Sequence, residues 1–78
     1  MTSFRRDVPR PIYVSGDLVE LRADAEHGFR HLFEVVEVAA DGTVWLSQRG
    51  TGVRCRVLAA DVPFEMFLAR PDTIAAFR

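Results

Sequence analysis

The chain of 78 residues has no lysine and no asparagine, so all ten of its cationic side chains are arginines. Planar guanidinium groups suit bidentate contacts with carboxylates and phosphates. The same bias is the codon signature of a GC-rich genome, which predicts a bacterial or bacteriophage source. A single cysteine, Cys55, excludes a disulfide within the chain. Cys55, His27 and His31 do not have the spacing of a zinc ligand set, so neither metal nor other cofactor is expected. Cys55 reads instead as a small apolar residue on a strand. No apolar run approaches the ~20 residues needed to span a bilayer. The charged stretch Met1 to Arg10 is followed by no apolar signal core. The expectation is a cytoplasmic protein with no membrane partner.

What is present is enough for one packed domain. Hydrophobic residues make up 49% of the chain, which argues against disorder. A chain of this length holds a single core, and without disulfide or metal the remaining reinforcement is self-association. The net charge of −1 does not favour a nucleic-acid partner. A protein partner or a homo-oligomer is therefore expected ahead of nucleic acid.

Residues 1–11 read as a flexible arm, because Pro9 and Pro11 disfavour helix and Arg5, Arg6 and Arg10 are spread among polar residues. The domain proper is expected over residues 12–70, with a short helix or tail over 71–78. Ser15-Gly16-Asp17 predicts a turn, and Leu18 to Arg22 a half-buried strand in which Val19 and Leu21 face the core. Ala23 to His31 has no useful periodicity and reads as a loop. Leu32 to Ala39 carries Val35, Val36 and Val38, and the Asp41-Gly42 that follows predicts a hairpin. A three-residue turn, Ala40-Asp41-Gly42 with Gly42 left-handed, pairs Val38 with Val44 and Val36 with Leu46. Phe33 and Val35 then face outward unless a bulge intervenes between Val35 and Val36.

Gly50-Thr51 predicts a second hairpin, of type II′, that pairs Leu46 with Cys55, Val44 with Val57, Trp45 with Arg56 and Ser47 with Arg54. These registers put Val36, Val38, Val44, Leu46, Cys55 and Val57 on one face. Ala59-Ala60-Asp61 reads as a tight helical turn. Pro63 is expected to begin a last short strand through Phe64 and Met66, and Asp72 to cap a terminal helix from Thr73 to Arg78.

The segment Gly16-Asp17-Leu18-Val19-Glu20-Leu21 resembles the Gly-Asp-x-Val-x-Leu start of KOW-like, Tudor-like and other small-barrel domains. The Ala59-Ala60-Asp61-Val62 turn before the last strand fits the same plan. The resemblance spans roughly Ser15 to Leu68 and implies a mostly β fold, a single five-stranded antiparallel SH3-like barrel with a short C-terminal helix. Such barrels carry many unrelated functions, so it favours a binding module and goes no further. The type II dihydrofolate reductases share this size and barrel, but of their pore-lining Val-Gln-Ile-Tyr segment Val53-Arg54-Cys55-Arg56 keeps only the valine. Reductase chemistry is not expected.

The leading candidate site is the outer sheet face, where Trp45 lies between Glu37 and Arg56 with Ser47 and Arg54 one rung away. Tryptophan and arginine are preferred anchors of protein interfaces, and the same pair stacks nucleobases. A second candidate is the loop Phe29-Arg30-His31, since the corresponding loop of SH3-like barrels borders the ligand groove. Glu26 with His27 or His31 forms a conceivable acid–base pair. No nucleophile or oxyanion donor accompanies it, so no catalysis is expected. The expected function is a non-catalytic module that contacts a protein partner, or itself, through the Arg/Trp face.

Overall fold

Alternating valines and leucines pack a five-stranded antiparallel sheet over one buried layer. The computed structural model describes residues 13–77. The expected arm of residues 1–11, with Arg5, Arg6 and Arg10, lies outside the described residues, as do Ile12 and Arg78. The strands are β1 (Leu18–Leu21), β2 (Phe33–Val38), β3 (Val44–Gln48), β4 (Arg54–Val57) and β5 (Met66–Leu68), in the order β4-β3-β2-β1-β5. Three short helices accompany them: α1 (Arg22–Glu26), α2 (Val62–Glu65) and α3 (Pro71–Ala76), with a 3₁₀ turn at Ala59–Asp61. Val19, Val35, Val44 and Leu46 form the centre of the core, which Met66 and Val62 extend. No helix among the described residues is long and apolar enough to cross a membrane.

The sheet does not close into the expected barrel. β4 and β5 are both edges, and no pairing joins them among the described residues. The residues expected to lengthen the last strand, Pro63 and Phe64, belong to α2 instead. Proline is well placed there, because a first-turn N–H has no helical partner to lose. β5 keeps three residues, a run of only about 10 Å. Among the described residues its partner is β1 alone, with Leu21 opposite Met66 and Glu20 opposite Phe67.

The expected loop from Ala23 also begins as helix. α1 is rich in alanine and ends in a Schellman motif: Phe29 N–H donates to the Asp24 carbonyl at 2.8 Å and Gly28 N–H to that of Ala25 at 3.1 Å. Gly28 has φ +79°, the left-handed value this ending requires. One turn of helix is too short to leave a periodic signal. At the other end of the chain, α3 starts at Pro71 rather than Thr73, and Asp72 lies in its first turn without capping it.

The first hairpin has the three-residue turn, with Val38 opposite Val44, Ala39 N–H bonded to the Thr43 carbonyl at 2.8 Å, and Gly42 at φ +94°. Farther along, the register shifts. Val35, and not Val36, lies opposite Leu46, because a bulge at Val36 separates the pairs Val35–Leu46 and Glu37–Trp45. The extra residue restores Phe33 and Val35 to the core and leaves Val36 half-buried. Val38, near the sheet's end, is 41% exposed. The second hairpin has the expected β3–β4 register but not the type II′ turn. Its loop is 49–52, closed by Gln48 N–H on the Val53 carbonyl, with Gly52 N–H on the Gln48 carbonyl, both at 2.8 Å.

One charged residue is buried with the core. Glu20 is 1% exposed. Its carboxylate accepts from Arg70 three times: from the backbone N–H at 2.9 Å, Nε at 3.0 Å and Nη2 at 2.7 Å. The buried Thr73 hydroxyl of α3 has no hydrogen-bond partner among the described residues. The Arg70 side chain, ahead of the contribution opposing it from burial, holds the Glu20 pKa below the ordinary 4.5. Its contribution to stability is therefore complete above that value and lost as pH falls through the lower folded pKa.

Glu20→Gln is expected to lower stability at neutral pH by about 2 kcal/mol, a midpoint shift on the order of 10 °C. It should also flatten the acid limb of the melting profile, which calorimetry across pH 2–7 measures. Gly42→Ala forces a left-handed alanine whose Cβ meets the Ala59 Cβ at 3.1 Å. A loss of about 1–2 kcal/mol in urea unfolding is expected for the backbone strain.

Candidate functional site

The bulge in β2 organises the outer face of the sheet. Because it absorbs one residue, Glu34 and Glu37 both point away from the core although they are three positions apart. Two rows of side chains then cross the strands: Glu37, Trp45 and Arg56, and beside them Glu34, Ser47 and Arg54. Acidic groups lie on β2 and basic groups on β4. The face is thus polarised across its width, with its cations on an open edge.

Trp45 is half-buried, and the Arg56 guanidinium carbon lies 5.7 Å from the centre of its ring. That distance is a cation–π contact. Arg56 thereby covers part of the indole while staying exposed itself. Glu34 is partnered by Arg49, with Nη2 3.4 Å from Oε1. Neither Arg54 nor Arg56 has a carboxylate within ion-pair distance among the described residues. Sequence reading had left Glu34 out of this face, since only the bulge brings it there.

The second candidate is a separate cluster. Phe29 is 57% exposed and stacks between His27 and His31, with ring centres 6.4 and 5.9 Å away. His27 Nδ1 lies 2.8 Å from the Ala23 carbonyl oxygen and His31 Nδ1 3.3 Å from Asp24 Oδ2, so both rings are tied back to α1. Arg30 is exposed. Among the described residues this cluster shares no hydrogen bond, ion pair or ring contact with the Trp45 rows. No group of three or more potential ligands could hold a metal ion among the described residues.

Sequence reading did not foresee a groove of about 440 Å³ on the inner side of β4. Cys55, Val57, Leu58 and Leu21 give it an apolar floor, and Asp61 and Glu65 add carboxylates at its rim, with Arg56 at the margin. Burial, with a smaller push from the Asp24 charge, raises the Cys55 thiol pKa. That leaves the thiol protonated and a poor nucleophile. The groove arises where α2 replaces the expected strand, so a period-of-two reading could not show it.

Comparison with known proteins finds no matching family model, no matching curated protein and no matching solved structure. Arg56→Ala is expected to red-shift Trp45 emission and increase its quenching by acrylamide. The thermal midpoint should fall by only a few degrees, as for a cation–π contact at an exposed position.

Proposed function

We propose that this protein is a non-catalytic binding module that contacts a protein partner, or a second copy of itself, through the outer sheet face bearing Trp45, Arg54 and Arg56. The observation that carries the reading is the half-buried Trp45 held between Glu37 and Arg56, with two arginines on the adjoining edge that have no carboxylate partner among the described residues. An indole in that position offers a large apolar contact that loses little side-chain entropy on binding. The charge on either side of it can fix the orientation of a partner.

A protein partner fits better than nucleic acid, because Glu34 and Glu37 share the face and would repel a phosphate backbone crossing it. The fold belongs to this reading as an open relative of the SH3-like barrel. Its support is the β1-to-β4 meander with β5 returned beside β1. A cytoplasmic module of this kind has no catalytic use for His27 and His31. Both are bonded back to α1, and no nucleophile faces them among the described residues.

The test is a photo-cross-linking amino acid placed at Ser47, compared with one at Asp72 in α3, in the cells that make the protein. Discrete protein adducts are expected from position 47 only. Equal labelling from both positions, or quenching of Trp45 by single-stranded oligonucleotide at low salt, would overturn the proposal.

A further inference from the structure

The partner's chemistry can be read from the edge of β4. The Gln48 N–H bond to the Val53 carbonyl sets the phase of the β3–β4 ladder, in which bonded and non-bonded pairs alternate. Val53, Cys55 and Val57 turn their backbone groups toward β3. Arg54 and Arg56 turn their N–H and C=O groups outward, off the open edge. Both β4 residues that present their backbone outward are thus arginines whose guanidinium groups lack a carboxylate among the described residues.

We infer, resting on the binding reading above, that β4 accepts an extended segment of another protein as a sixth strand, and that this segment alternates acidic with apolar residues. Opposite Arg54 and Arg56, an incoming strand would exchange backbone bonds and place its side chains on the outer face beside two arginines, which selects glutamate or aspartate. The residue between them would point inward over Cys55, Val57 and Leu58 into the groove. Asp61 and Glu65 stand at that groove, so an acid there is repelled and an apolar side chain is favoured. Alternation follows from the two faces having opposite demands.

Charge also excludes the nearer occupants. With Arg54 and Arg56 as the outward-bonding residues, a two-fold pairing of β4 with a second copy sets arginine against arginine in every register centred on Arg54, Cys55 or Arg56. Like charges directly opposite destabilise such pairs. The chain's own first 12 residues carry Arg5, Arg6 and Arg10 against a single Asp7. They also contain Pro9 and Pro11, which have no N–H to give a ladder.

The experiment titrates the full chain with a labelled octapeptide in which glutamate alternates with valine, read by anisotropy and by backbone amide NMR. Saturable binding is expected, with the largest amide shifts at Arg54 and Arg56 and an affinity that falls with salt. N-methylation of alternate peptide amides should abolish it, and Arg54→Glu with Arg56→Glu should weaken it by roughly tenfold or more. The milder pair Arg54→Gln and Arg56→Gln gives the same direction if the charge reversal perturbs folding. Binding indifferent to N-methylation, no binding at millimolar peptide, or a dimer that the arginine variants disrupt overturns the inference. If the peptide fails while Ser47 still cross-links a protein, the edge inference falls and the face reading stands. Loss of both overturns both.

Discussion

A carboxylate enclosed under a helix is a costly arrangement unless both its oxygens are answered, and Glu20 meets that condition through a single residue. Arg70 supplies its backbone N–H and two guanidinium nitrogens, so the ion pair also fixes the course of the chain from β5 into α3. The same guanidinium lies 5.7 Å from the centre of the Phe67 ring, and Arg22 lies 5.4 Å from it. Arg22 Nε in turn donates to the Phe64 carbonyl at 2.7 Å, answering an orphan acceptor at the end of α2. One buried charge therefore ties β1, β5, α2 and α3 into a unit. Removing a partner from a buried pair costs far more than the pair contributes against an apolar substitute.

The other half of the sheet is organised by the bulge at Val36. A period of two would send either the valines or the glutamates of β2 to the wrong side. With one residue set aside, Phe33 and Val35 enter the core while Glu34 and Glu37 remain outside. The polarity of the outer face, acidic on β2 and basic on β4, follows from that single irregularity. So does the isolation of the β4 arginines, because Glu34 is engaged by Arg49 and Glu37 lies two strands away.

Much of the central sheet could be read from residues alone. The Asp41-Gly42 pair with valines on either side dictates the first turn and the pairing of Glu37 with Trp45, and Gly50-Thr51 gives the pairing of Trp45 with Arg56. The preferred register, Val36 opposite Leu46, is one residue off beyond Val38, and the bulge between Val35 and Val36 enters a sequence reading only as an alternative. Helices α1 and α2 could not be read, since one turn shows no periodicity and Val-Pro-Phe-Glu is equally compatible with an edge strand. Reading Pro63 and Phe64 as strand hides the groove beside Cys55, while the closed barrel, which the open sheet does not follow, is what the resemblance to small-barrel domains implies. The burial of Glu20 was likewise invisible, because its partner lies 50 positions away.

The bulge has a mechanical side as well. The Val35 carbonyl accepts from Gly16 N–H at 2.8 Å, and the Val36 carbonyl accepts from Ser15 Oγ at 3.3 Å. The turn ahead of β1 is thus anchored on the irregular point of β2. Tension on the chain ahead of this turn would pass through the core packing of Tyr13 to these two carbonyls, and the strand they belong to carries the Glu37 end of the Trp45 row. A tether at the amino terminus would pull on the same fulcrum that sets the outer face.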